Sequence, residues 1–73
     1  MITPQDILTL AEKLDILYGG MASVNILYHP YEGEWIVKVS WSSGFTLVEN
    51  HYNLDFTMES MQKELLWCIN NLT

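Results

Sequence analysis

Few side chains in this sequence could do chemistry. They are His29, His51, Cys68 and two groups of nearby carboxylates, Glu32 with Glu34 and Glu49 with Asp55. Imidazole and thiolate are habitual zinc ligands, and imidazole with carboxylate is a habitual general-base pairing. The alternation described below puts His29 and His51 at the same end of a sheet, near Glu49 and Asp55. They fall on its two outer strands, about 10 Å apart at ordinary strand spacing. Zinc–nitrogen bonds are about 2 Å long, so this separation does not make a metal site. Cys68 falls on the apolar stripe of a helix, the place of a small buried hydrophobe rather than a nucleophile. Glu32 and Glu34 would need a water-excluding pocket for acid–base work, and a domain this small supplies none. The sequence has no CxxC, HExxH, Gly-rich phosphate loop or GxSxG. No catalytic residue, metal or cofactor is expected, and the chain reads as a non-enzyme.

Charge narrows the partners. The 73 residues hold three Lys, no Arg and nine Asp plus Glu, a formal net charge of -6. Gripping a phosphate backbone takes clustered cations, so direct nucleic-acid binding and attachment to an anionic membrane are not expected. One Cys permits no internal disulfide. No apolar run reaches the roughly 18–20 residues of a membrane span, and Met1 to Asp6 lacks the basic start of a signal peptide. A reducing cytoplasm is the expected setting. Hydrophobic residues make up 49% and charged residues 16%, with mean hydropathy +0.09. A small domain buries only about 60% of its unfolded surface, so part of that apolar content must stay outside.

The elements follow from periodicity, and residues 1–73 read as one folding unit. Thr3 is placed to cap a first helix, with Pro4 at its first position and Asp6 at the positive end of the dipole. Ile2 and Ile7 form a hydrophobic staple. Ile7, Leu10, Ala11, Leu14, Leu17 and Tyr18 make the buried stripe, and Gly19–Gly20 ends the helix. Ala22, Val24, Ile26 and Tyr28 then alternate with Ser23, Asn25, Leu27 and His29. After a turn at Pro30–Gly33, Trp35, Val37, Val39 and Trp41 alternate with Ile36, Lys38 and Ser40. A three-residue loop, Ser42–Gly44, leads to a third strand from Phe45 to Glu49, extending towards His51. A second helix begins near Thr57, stapled by Phe56 and Met61, with the stripe Met58, Met61, Leu65, Cys68, Ile69 and Leu72. The expected class is α+β in the order α-β-β-β-α. Two helices pack on one face of a three-stranded antiparallel meander.

This register leaves surplus groups in three places. Leu27, Ile36 and Val48 fall on the outer sheet face, and Ile16 lies nearly opposite the first helix's stripe. These four are the expected residues of a dimer or second interface. Trp67 lies opposite the second helix's stripe, where a tryptophan suits a binding hot spot. Carboxylates collect at the turn end: Glu32, Glu34, Glu49, Asp55 and Glu59, interleaved with Tyr31 and Tyr52 and joined by Asp6. Without Asp6 and with Trp67, these residues are the expected partner-binding set, steering and anchoring a basic surface.

The element order resembles the double-stranded-RNA-binding domain over most of the chain. That family uses a basic cluster at the start of its second helix. Phe56-Thr57-Met58-Glu59-Ser60-Met61-Gln62-Lys63-Glu64 holds one Lys against two Glu there, so the topology carries over and RNA binding does not. In size, charge balance and the run Tyr31-Glu32-Gly33-Glu34-Trp35, the chain also resembles phage-encoded inhibitors of the anti-CRISPR type. Several of those block basic nucleic-acid channels. The resemblance implies a non-enzymatic inhibitor that occupies a basic surface of a larger protein in the host cytoplasm. The alternative expectation is a self-assembling, homo-oligomeric structural or accessory subunit.

Overall fold

The computed structural model describes residues 1–15, 22–41 and 45–72. Its elements are α1 (Pro4–Leu14), β1 (Ser23–His29), β2 (Glu34–Trp41), β3 (Phe45–His51) and α2 (Leu54–Leu72). The three strands form one antiparallel sheet in the order β1-β2-β3. This is the expected α-β-β-β-α arrangement. Ile16, Leu17, Tyr18, Gly19–Gly20, the Ser42–Gly44 loop and the Leu72 side chain lie outside the described residues.

α1 starts where the sequence places it. Thr3 is extended at φ -99 and ψ 161 and forms a capping box with Asp6. The Asp6 N–H donates to the Thr3 hydroxyl at 3.2 Å, and the Thr3 N–H donates to the Asp6 carboxylate at 2.9 Å. Two backbone donors that the helix leaves unpaired are thereby satisfied. The end differs from expectation. α1 stops at Leu14, with Asp15 as its C-cap donating to the Ala11 carbonyl, well before Gly19. Of the expected stripe, Ile7, Leu10, Ala11 and Leu14 lie on α1 and belong to or pack against the core, and Leu17 and Tyr18 lie outside the described residues.

α2 begins three residues earlier than expected. The Asn53 side-chain oxygen accepts from the Phe56 N–H at 3.0 Å, and its carbonyl accepts from the Thr57 N–H at 3.0 Å. Asn53 is the cap, an ordinary role for a short polar side chain. Phe56 thus sits inside the helix and exposed, so the expected Phe56–Met61 staple does not form. Its ring instead meets His51 edge-on at 4.6 Å. Part-buried Leu54 joins the core in its place.

The register agrees with the alternation at every expected pair. Tyr28 lies opposite Trp35, Ile26 opposite Val37 and Leu27 opposite Ile36. Trp41 lies opposite Phe45, Val39 opposite Leu47 and Lys38 opposite Val48. Side chains alternate between faces along each strand, so these pairs sort the sheet into two sides. On one side Val37, Val39 and Trp41 are buried together with Ile7 and Ala11 of α1 and Met58, Met61, Leu65 and Cys68 of α2. Fully burying such a side chain contributes about 1.5–3 kcal/mol. Two aromatic pairs brace the ends of this layer, Tyr28–Trp35 at 4.8 Å and Trp41–Phe45 stacked at 6.0 Å. Thr57 is also buried there, its hydroxyl donating to the Asn53 carbonyl at 2.7 Å. The opposite side of the sheet carries no covering element among the described residues.

Candidate functional site

The Pro30–Gly33 connection shapes the first surface. Gly33 has φ +66, a conformation that glycine adopts freely, and its N–H donates to the His29 carbonyl at 2.8 Å. That closes the turn tightly and leaves Tyr31 and Glu32 pointing into solvent, Tyr31 with its whole surface exposed. β3 runs antiparallel to β2 and ends with His51 opposite Trp35, so Tyr52 and the start of α2 come to the same end. Tyr52 is 77% exposed, and Asp55 and Glu59 are exposed on the first turns of α2. Among the described residues, no lysine lies within ion-pair distance of Glu32, Glu34, Asp55 or Glu59.

The remaining carboxylates of the expected set lie on different faces. Glu34 belongs to the open side of the sheet, where its carboxylate accepts from the Asn50 side-chain amide at 3.1 Å. Glu49 pairs with Val37 and so belongs to the helix-covered side. Its carboxylate lies 3.4 Å from His51 Nε2. A groove of about 510 Å³ opens beside it, lined by Glu49, Ser60, Lys63, Glu64 and Trp67. Sequence reasoning placed Glu49 at the acidic end and did not find this groove. The signal was available, because Leu47 packs against the core and the next position of that parity is Glu49.

Trp67 lies opposite the buried stripe of α2, and it is 58% exposed. It is thirteen residues along α2 from Leu54, which at helical rise is about 20 Å. Trp67 therefore belongs to a different patch from Tyr31 and Tyr52. A further patch lies on the open face, where Leu27 and Val48 are each about half exposed and Ile36 between them is part-buried. Lys38, Asn25, Ser40 and Thr46 surround these side chains, and the Ser40 and Thr46 hydroxyls are 3.3 Å apart. Ile16, expected to join this second interface, lies outside the described residues.

The histidines occupy opposite faces. His29 pairs with Glu34 on the open side, and His51 pairs with Trp35 on the helix side. The sheet itself stands between the two imidazoles, a separation that strand spacing alone did not reveal. Among the described residues, no three His, Cys, Asp or Glu side chains are grouped as metal ligands. Cys68 is buried; burial first and the Glu64 carboxylate second push its thiol above the ordinary range, which favours the protonated form. None of the described helices is long and apolar enough to cross a membrane. No protein-family model, curated protein or solved structure matches the chain.

Proposed function

We infer that this chain is a non-enzymatic protein-binding module whose turn end docks on a basic surface of a larger protein. The reading extends to an inhibitor of the anti-CRISPR type, one that covers a surface otherwise used by nucleic acid. One observation carries it. Tyr31 and Tyr52 stand exposed at one end of the sheet among Glu32, Asp55 and Glu59, and among the described residues no lysine is ion-paired with those carboxylates. Glu34 adds its charge from the open face, and Glu49 adds its own from the helix side. Uncompensated charge attracts an oppositely charged surface over about a Debye length and raises the encounter rate. Rigid tyrosines then supply contact area at low entropic cost. Trp67 anchors only a partner broad enough to reach along α2.

A partner recovered by affinity capture tests this directly. Affinity should fall steadily with added salt, and Glu32→Lys/Glu34→Lys should weaken it by at least about tenfold, or about 1.4 kcal/mol. Affinity indifferent to both salt and charge reversal overturns the reading. A second reading rests on the half-exposed Leu27 and Val48 of the open face, which suit packing against another copy. Sedimentation of the wild type against Ile36→Glu/Val48→Glu distinguishes it, because loss of assembly in that variant places the contact on this face.

A further inference from the structure

Among the described residues no further strand pairs with β1 or β3, and these two sheet edges differ in how they are defended. Free edges invite pairing with another strand, and proteins discourage it with lysines, prolines, bulges or charges turned inward. β3 carries such a charge in Glu49, held on the core side beside His51. β1 carries none of these. Its seven residues, Ser23 to His29, include no Lys, Asp, Glu or Pro, and seven consecutive pairs join it to β2 without a bulge. Ser23, Asn25, Leu27, Tyr28 and His29 are exposed. Val24 and Ile26 are only part-buried, although Val39 and Val37 beside them are fully buried. The core thus closes one strand short of this edge.

We propose that β1 pairs antiparallel with β1 of a second copy, joining two three-stranded sheets into one of six strands. A pairing centred on Ile26 sets that residue against its own symmetry mate. Val24 then meets the second copy's Tyr28 on the core side, and Asn25 meets its Leu27 on the open side. Tyr28, now 49% exposed, gains apolar cover from this arrangement. The strand's own pattern selects the occupant, because self-pairing sets the incompletely buried Val24, Ile26 and Tyr28 against apolar residues only. Each copy has a net charge of -6, so repulsion between copies opposes contact least through a surface that carries no carboxylate. β1 is such a surface. Antiparallel pairing also sends the two Pro30–Gly33 turns to opposite ends, separated by at least about 25 Å. A basic partner has no carboxylate to find on β1 and is drawn to the turn end instead. The two surfaces are separate, so the edge can be occupied while the turn remains free.

Sedimentation equilibrium of the full chain from about 1 μM to 1 mM spans the relevant range of dissociation constants. A monomer–dimer equilibrium is expected, with β1 amides exchanging more slowly at high concentration and β3 amides unchanged. Asn25→Glu/Leu27→Glu alters two exposed positions and sets like charges opposite each other across the proposed pair. It should raise the dissociation constant at least about tenfold. Ile36→Glu/Val48→Glu, on the same face but away from the edge, should leave it nearly unchanged. A monomer throughout, or β1 exchange independent of concentration, overturns the proposal. Equal weakening by both double variants also overturns it and assigns assembly to the sheet face.

Discussion

The β1 half and the β3 half of the helix-covered layer share one middle strand and are built differently. Reading across the sheet, three inner rows span all three strands, Val24–Val39–Leu47, Ile26–Val37–Glu49 and Tyr28–Trp35–His51, and a further inner pair, Trp41–Phe45, joins β2 to β3. Every inner β1 position in these rows is aliphatic or aromatic, whereas β3 is apolar at Phe45 and Leu47 but ionisable at Glu49 and His51. α2 meets the polar half with matching chemistry, Phe56 edge-on to His51 and Lys63 on the wall of the Glu49 groove. The apolar half is left with part-buried aliphatics and an exposed strand edge. One sheet thus presents a polar seam on one flank and an unfinished core on the other. The difference locates where further burial would stabilise this molecule.

Both halves depend on the same centre, so the largest effect belongs there. Leu65 is completely buried among residues from both helices and β2. Leu65→Ala should cost about 2–5 kcal/mol by leaving a cavity, and lower the melting temperature by roughly 10 °C or more. Denaturant titration measures it. A loss below about 1 kcal/mol would mean that the two halves do not share a packed centre. The next test sets one half against the other. Ile26→Ala should cost about 2 kcal/mol, reduced from the full value because the site is only part-buried. Glu49→Leu should leave stability unchanged or raise it by up to about 1 kcal/mol, since a half-buried carboxylate surrenders hydration for one long histidine contact. It should also lower solubility by removing the inward charge from β3. Equal losses in the two variants would erase the contrast between the halves.

Legibility in the sequence followed the strength of local signals. The register was readable because Ile26, Val37, Val39 and Leu47 alternate cleanly and a one-residue slip would turn all of them to water. The start of α1 was readable because Thr3, Pro4 and Asp6 act within four residues of one another. The ends of the helices were not. Phe56 before Thr57 mimics a staple, while the true cap, Asn53, is followed by Leu54 and Asp55 in a pattern that also suits a loop. Gly19–Gly20 is a strong stop signal, yet α1 ends at Leu14 with Asp15 as its cap. Exposure of Trp67, Leu27 and Val48 followed from helical and strand periodicity. The groove beside Glu49 did not, because charge composition drew that residue to the acidic end while its parity sent it inward.

A smaller effect tests the helix that lies over the apolar half. α1 depends at its start on the Thr3–Asp6 capping box, so Thr3→Ala should destabilise the protein by about 1 kcal/mol. The Thr3 backbone N–H first, and then the Thr3 side chain, hold the Asp6 carboxyl below the ordinary aspartate range. A depressed folded-state value favours folding above the unfolded value and loses that contribution as pH falls through the folded one. Unfolding followed from neutral to strongly acidic pH should therefore show part of the acid sensitivity vanish in Asp6→Asn. An unchanged acid profile in that variant would detach the cap from the stability of α1.

Trp67 should give the smallest change in stability, and that smallness is informative. A side chain this exposed loses little on folding, so Trp67→Ser should shift stability by less than about 0.5 kcal/mol. Phe56, near the other end of the same α2–β3 seam, packs its ring on His51 and should cost more on truncation, about 0.5–1.5 kcal/mol. Fluorescence separates the tryptophans without reference to stability. Trp41 is buried and Trp35 part-buried against Tyr28, so a polar quencher should act first on Trp67. In Trp67→Ser the readily quenched part of the emission should disappear. If the substitution instead costs more than about 1 kcal/mol and leaves quenching unchanged, the indole is packed against β3. The seam would then be closed, and the polar flank would be as fully buried as the centre, removing the asymmetry from which the two edges were distinguished.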